Sequence, residues 1–322
     1  MKIIDAKAEI ISEKNPYKKV EMAARTCYKS EANITAESAE KMCKGLIKSQ
    51  HTAMLEHAVL CFQLEPSDFR GGIYYNYEAA KYLDDISKNR FFHVTCTLKE
   101  NKARILVSAN MRAISERGIN DPVFRAVKEQ YPSLVWGHAA ESEYNAWPEI
   151  RARIVDIDDF DDLTDEEIGE HKVLTFRFTT DRGVSHELVR HRPCSFAQES
   201  TRYCLYSKDQ FGNELTFIRP STFDAWPQEK QMDYLSTLKC LENCYLRLVS
   251  GEDALQAQQA RAILSTSIKT EIVVTANMAE WRHIFNLRVH GTTGAPHPDM
   301  KYVASQALDI AMQDPLAAKY LG

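Results

Sequence analysis

Between Ser185 and Tyr206 the chain reads SHELVRHRPCSFAQESTRYCLY, which places Arg190, His191, Arg192 and Arg202 within thirteen residues. Glu187 and Glu199 lie among them, with Ser195, Ser200 and Tyr203 as neutral hydrogen-bonding groups. A guanidinium presents a rigid fork of donors that meets two acceptors at once, which suits a phosphate or a planar anionic heterocycle. Leu188, Val189, Phe196 and Tyr203 set apolar and aromatic surface beside these cations. On composition alone the stretch also reads as a surface patch or an ion-pair network. Pro193-Cys194 adds a second chemistry, because a thiolate beside Arg192 and His191 would be a nucleophile.

Three other blocks carry reactive residue types. His51-Thr-Ala-Met-Leu-Glu-His57 flanks a carboxylate with two histidines, but no third ligand follows at a recognisable spacing, so no metal site is expected. Arg261 stands in QQARAILS, and NMAEWRHIFNLR runs from Asn277 to Arg288.

These residues need a scaffold. Lys2 to Ser12 reads as a strand, and Pro16 opens a helix carrying Arg25 to Tyr28. Thr35 is the expected N-cap of a second helix through Met42, Leu46 and Ile47. Ala58–Leu64, Phe91–Leu98 and Arg104–Val107 are strand-like, and helices are expected over 110–116, 121–131 and 133–146. From Asp156 to Glu170, nine of fifteen residues are acidic, which reads as a solvated loop or short exposed helix without function. Lys172–Thr179 is a strand, Thr180–Gly183 a turn, and a short helix then carries Leu188, Val189 and Arg190. Further on come a strand over 215–218, an amphipathic helix over 228–249 and a helix over 253–264 bearing Arg261. A strand over 270–275, a helix over 277–289, a Gly/Pro loop and a closing helix over 300–312 complete the chain. Ile105-Leu-Val-Ser-Ala-Asn-Met111 echoes Ile272-Val-Val-Thr-Ala-Asn-Met278. A match this short arises by chance, and no longer repeat is visible.

At 322 residues, 44% hydrophobic and 26% charged, the chain has the composition of a globular protein with a full core. Its net charge of -5 argues against a dedicated nucleic-acid binder. A local basic pocket in an acidic protein suits a small anion. Eight cysteines show no Cys-x-x-Cys pair and read as reduced thiols. MKIIDAKAEIIS lacks the apolar core of a signal peptide, and no run approaches a membrane span, so a cytoplasmic, non-membrane protein is expected.

Arg190-His191-Arg192 followed by seven residues and Ser200 resembles the signature of the flavin-dependent thymidylate synthases. The resemblance extends, in that family's order, through His51–His57, Arg261 and Asn277–Arg288. It implies an α+β fold with helices around an antiparallel sheet, one domain over 1–322 with a large insertion at about 66–170. It also implies a homotetramer whose active sites draw on several subunits. The implied reaction is reductive methylation of dUMP to dTMP, with FAD as cofactor, methylenetetrahydrofolate as carbon donor and NADPH as reductant.

Residue by residue, His51, Arg190, His191, Arg192, Glu199, Asn277 and His283 match cofactor positions. Glu187, Arg190, Glu199, Ser200, Arg202, Arg261 and Arg288 match dUMP positions. Arg288 matches the arginine that contacts the uracil ring and favours ionisation at N3, as a fixed cation does for a neighbouring acid. Departures are Glu187 where Gln is usual, Ala279 for an arginine, Ala53 for a threonine and Cys27 for a serine. A carboxylate at 187 would repel a phosphate unless Arg190 or Arg202 paired with it. No Gly-x-Gly-x-x-Gly loop is present, so neither FAD nor NADPH is expected on a Rossmann domain. Three rival readings remain: a covalent thiol mechanism at Cys194, a non-catalytic nucleotide- or RNA-binding protein, and a structural member that has lost activity, which the presence of both Arg288 and Ser200 opposes.

Overall fold

The computed structural model describes residues 1–66, 77–99, 102–136 and 150–322. The N-terminal stretch is two strands, not one: β1 (Lys2–Ile4) pairs in parallel with a strand at Thr216–Ile218, while β2 (Lys7–Ile10) joins a different sheet. The break falls at Asp5, whose carboxylate accepts from Arg219 at 2.8 Å. Helix α1 (Pro16–Tyr28) starts where Asn15 accepts from the Tyr17 and Lys18 amides, with Pro16 needing no partner at its first position. Helix α2 (Ser38–Lys48) begins two residues later than a Thr35 N-cap would place it, because the Ser38 hydroxyl accepts from the Thr35 amide and closes a turn there.

Next come β3 (Val59–Pro66), α3 (Tyr77–Ser87), β4 (Phe92–Lys99), β5 (Lys102–Asn110), α4 (Met111–Arg117) and α5 (Pro122–Gln130). The helix expected over 133–146 is not a helix at 133–136, and the rest of it lies outside the described residues. Strand β6 (Ile150–Val155) leads to α6 (Asp165–His171). That acidic helix is not a solvated face. Thr164 and Glu167 form a capping box, and Glu167, fully buried, binds Arg104 at 2.7 Å.

Strand β7 (Val173–Asp181) runs through the expected turn and leads directly into α7 (Arg182–Leu188), capped by Asp181, so Arg190 lies beyond the helix. A strand absent from the sequence reading, β8 (Ser195–Gln198), passes through the basic stretch itself. Then follow β9 (Thr216–Ile218), α8 (Gln228–Leu248), the short α9 (Ala257–Ala260), β10 (Lys269–Asn277), α10 (Met278–Arg288), α11 (Pro298–Ala311) and α12 (Pro315–Leu321). Arg261 opens a 3-10 turn after α9, not a long helix. Helix α8 buries Leu238, Glu242 and Tyr245 but leaves Met232 62% exposed, so its apolar stripe is only partly covered within one chain.

The two four-stranded sheets are antiparallel throughout, in the orders β4-β5-β3-β6 and β8-β10-β7-β2. They are the same sheet built twice. In each, a strand that follows a strand-helix-strand unit lies at the centre between that unit's two strands (β5 between β3 and β4 of β3-α3-β4, β10 between β7 and β8 of β7-α7-β8) and ends in an Asn-capped helix (β5-α4, β10-α10). The fourth strand of each comes from the other repeat: β2 adds to β7, and β6 adds to β3. Helices are exchanged with the strands, so α1 packs on β8 and β10 while α6 packs on β4 and β5.

The short echo is therefore structural. Asn110 accepts from the Ala113 amide at 2.9 Å and Asn277 from the Glu280 amide at 3.0 Å. Two residues earlier, Ser108 bonds His171 at 2.9 Å and Thr275 bonds His57 at 2.8 Å, each histidine reaching across from the other repeat.

Alternation along β10 sends Ile272, Val274 and Ala276 to one face and Val273 to the other. The first face packs on α10 and α11 around Trp281, which is fully buried against Phe176 and Phe285 and donates from Nε1 to the Leu174 carbonyl. The second face packs on Ala23 of α1 and on Ile11, just after β2.

Candidate functional site

Helix α10 carries Glu280 and His283 at i, i+3, a spacing that shares a helix face, and ends at Arg288. Opposite them the chain leaving α7 brings Glu187 and His191. Arg288 Nη1 donates to Glu187 Oε2 at 2.8 Å, and Arg288 Nε donates to His191 Nε2 at 3.1 Å. Nη2 has no hydrogen bond among the described residues. The carboxylate at 187 is thus neutralised by Arg288, not by Arg190 or Arg202 as the sequence suggested.

Burial, the Arg288 charge and then His283 push the His191 pKa down to about 4, so its ring is neutral near pH 7. Since an arginine Nε always carries hydrogen, His191 Nε2 must be the acceptor and Nδ1 holds the proton. His191, Glu280 and His283 place their ligand atoms within 4.8 Å of one another, a grouping able to hold a divalent ion. The tautomer opposes it, because a metal on His191 Nδ1 would leave Nε2–H facing the Arg288 Nε–H.

A second cluster forms at the C-terminal end of α1. The Ser200 amide donates to the Cys27 carbonyl at 3.0 Å, Tyr203 packs on Tyr28 at 5.4 Å, and the Tyr28 hydroxyl meets His51 Nδ1 at 3.5 Å. Arg202 lies over the Tyr203 ring at 5.5 Å. Arg190, Arg192, Arg202 and Arg261 are exposed and make no ion pair among the described residues. Four such cations in one acidic protein are available to an anion. Glu199 differs: it is buried, and its carboxylate accepts from Lys269 at 2.8 Å and from the Tyr206 hydroxyl at 3.1 Å.

Asn277 belongs to a third group. Besides capping α10, its Nδ2 lies 3.3 Å from both His93 Nδ1 and Glu170 Oε2, and His93 and Glu170 are 2.6 Å apart. Sequence reasoning missed Glu170 by treating its acidic run as solvent-facing, and missed His93 because nothing marks a lone strand histidine. Glu56, between the two histidines of its block, pairs with Arg112 at 2.7 Å. Glu280 was legible in principle from its i, i+3 spacing to His283.

The sequence-predicted residues are therefore not brought into one place within a chain. Glu187, His191, His283 and Arg288 converge where α10 packs, whereas Ser200, Arg202 and His51 gather where α1 packs, on the opposite face of the β8-β10-β7-β2 sheet. Arg261 stands apart from both, beside the α8 core. Cys194 is half-buried, and its thiol is pushed up by burial and then by Glu280, which opposes a thiolate.

This mixed helix and antiparallel-sheet chain, with basic residues flanking β8 and an arginine-bearing helix after β10, matches a known family in its sequence. Residues 9–69 and 138–314 match the family described as thymidylate synthase complementing protein, and the chain belongs to it. The flavin-dependent thymidylate synthase of Geobacter sulfurreducens is 33% identical over 127 residues, 39% of this chain and 52% of that protein. That of Thermococcus onnurineus is 38% identical over 127 residues, 38% and 49% respectively. The chain spans about half the length of the curated relatives it matches. Among solved structures, the UMP/dUMP methylase PolB from Streptomyces cacaoi bound with 5-Br dUMP aligns over 99% of this chain and 96% of its own, with TM-score 0.42 and 14% identity. Thymidylate synthase X from Helicobacter pylori with FAD and dUMP aligns over 46% and 70%, with TM-score 0.34 and 21% identity.

Proposed function

We propose that this protein is a cytoplasmic flavin-dependent thymidylate synthase that converts dUMP to dTMP, with methylenetetrahydrofolate as carbon donor and NADPH as reductant. The observation that carries the reading is the Arg288 guanidinium, held on two edges by Glu187 and His191 with its third nitrogen unengaged. A cation fixed in this way favours the N3 anion of a uracil ring and so makes C5 more electron-rich. Ser200, Arg202 and Arg261 would hold the phosphate and sugar through charge-assisted bonds.

No side chain can supply a hydride, and FAD, when bound, supplies that chemistry. The residues present fit such a group: Arg190 and Arg192 are exposed cations that make no ion pair among the described residues, free to meet its phosphates. Arg190, His191, Arg192, Asn277, His283 and His51 would hold it. The split of the assigned residues between opposite faces of one sheet supports a homotetramer in which a second chain completes each site. Helix α8 offers uncovered apolar surface for such contacts.

The test is ligand binding. Purified protein titrated with FAD and with dUMP should bind both. Arg190→Ala and Arg192→Ala should weaken FAD, and Arg202→Ala should weaken dUMP. Binding of RNA in a salt-sensitive manner with no uptake of flavin would overturn the reading in favour of a nucleic-acid binder.

A further inference from the structure

A buried carboxylate oxygen left without a donor is costly, so its surroundings show what it is kept for. Glu280 is 8% exposed, and its Oε1 has no hydrogen-bond partner among the described residues. The basic group facing it is His191, whose Nδ1 lies 4.0 Å away. The far side of the same ring receives the Arg288 Nε–H at 3.1 Å, which puts the ring proton on Nδ1, toward Glu280. His283, with its ring 6.0 Å from that of His191, and the Cys194 thiol also lie beside it.

We propose that Glu280, acting through His191, is a positioning residue for Arg288. This rests on the reading that Arg288 is the activating cation. Glu280 Oε1, 4.0 Å from Nδ1 and so just beyond a formed hydrogen bond, is the acceptor placed to favour the Nδ1–H tautomer of His191, and only that tautomer offers Nε2 to the arginine. In the other tautomer two N–H groups would face each other, and Arg288 would keep Glu187 as its single anchor. The guanidinium plane would then be free to turn about the Nη1 contact. Charge on Glu280 is not required: burial raises its pKa to about 7, and the neutral acid still offers a carbonyl oxygen to Nδ1–H.

The test combines a tautomer measurement with turnover. With ¹⁵N-histidine-labelled protein, long-range ¹H–¹⁵N spectra distinguish Nδ1–H from Nε2–H at His191. Wild type and Glu280→Gln should show Nδ1–H, since the amide oxygen accepts equally well. Glu280→Ala and Glu280→Leu should shift His191 toward Nε2–H. In dTMP formation, Glu280→Gln should stay within about twofold of wild type, whereas the Ala and Leu variants should lose about tenfold or more in kcat. Retention of Nδ1–H in both Ala and Leu variants would overturn the proposal, as would a Gln variant as impaired as Ala. If the wild type itself makes no dTMP, the functional reading fails, and the tautomer spectra still decide the positioning claim.

Discussion

Arg288 gains its proposed role from its neighbours more than from its charge. A free arginine on a helix end is a mobile cation, whereas one bound through Nε and Nη1 presents a defined edge. Arg288→Ala should therefore abolish dTMP formation while FAD remains bound, which flavin absorbance and a product assay would check together. Normal turnover by that variant would remove Arg288 from the mechanism. Cys194 makes the opposite case: burial and the neighbouring Glu280 disfavour its thiolate, so Cys194→Ala should keep near-normal turnover. At this scale the sequence was informative for Glu187, His191, His283 and Arg288, which do meet. It misassigned the partner of Glu187, because pairing across about a hundred residues depends on how α7 and α10 pack.

At the scale of elements, the exchanged histidines give the fold a pH signature. Burial is the largest cause lowering both the His57 and the His171 pKa to about 4. A histidine whose folded pKa is depressed binds fewer protons than the unfolded chain, so stability is full above about pH 6.5 and is lost as pH falls toward 4. The loss is on the order of 3 kcal/mol per histidine by the lower limit. Chemical denaturation across pH 8 to 4 should show this slope, and His171→Gln should flatten part of it while lowering stability at pH 8. Glu271, held near 2 despite burial by Lys269 and Lys29, acts only at lower pH: its stabilisation is present above about 4.5 and is lost as pH falls toward 2. Asn110→Ala, which removes the α4 cap, should cost about 1 kcal/mol in the same measurement. Strands with β-branched alternation, such as β7 and β10, were legible in the sequence. Strand β8 was not, because SFAQ is four residues long and is defined only by pairing with β10.

For the whole molecule, the repeat explains what the basic stretch is. Val94 opposite Val107 and Phe196 opposite Val274 occupy equivalent registers, so Lys88-Asn89-Arg90 stands in the first repeat where Arg190-His191-Arg192 stands in the second. Only the seven-residue echo survived in sequence, since exchanged strands conserve packing geometry without conserving residue identity. The stretch read as an insertion over about 66–170 contains much of the first sheet, and the family match passes over residues 70–137. A site split across opposite faces of one sheet predicts complementation between chains. Ser200→Ala and Arg288→Ala subunits, each inactive alone, should regain activity when co-assembled, and no recovery would place the whole site within one chain.

The most direct test of the functional claim is an anaerobic assay with FAD, NADPH, methylenetetrahydrofolate and dUMP, following the flavin spectrum and dTMP together. The account predicts that NADPH bleaches the flavin and that its colour returns in step with dTMP, only when dUMP and the folate are both present. Formation of dTMP at the same rate without flavin or NADPH would contradict it and move the chemistry to Cys194.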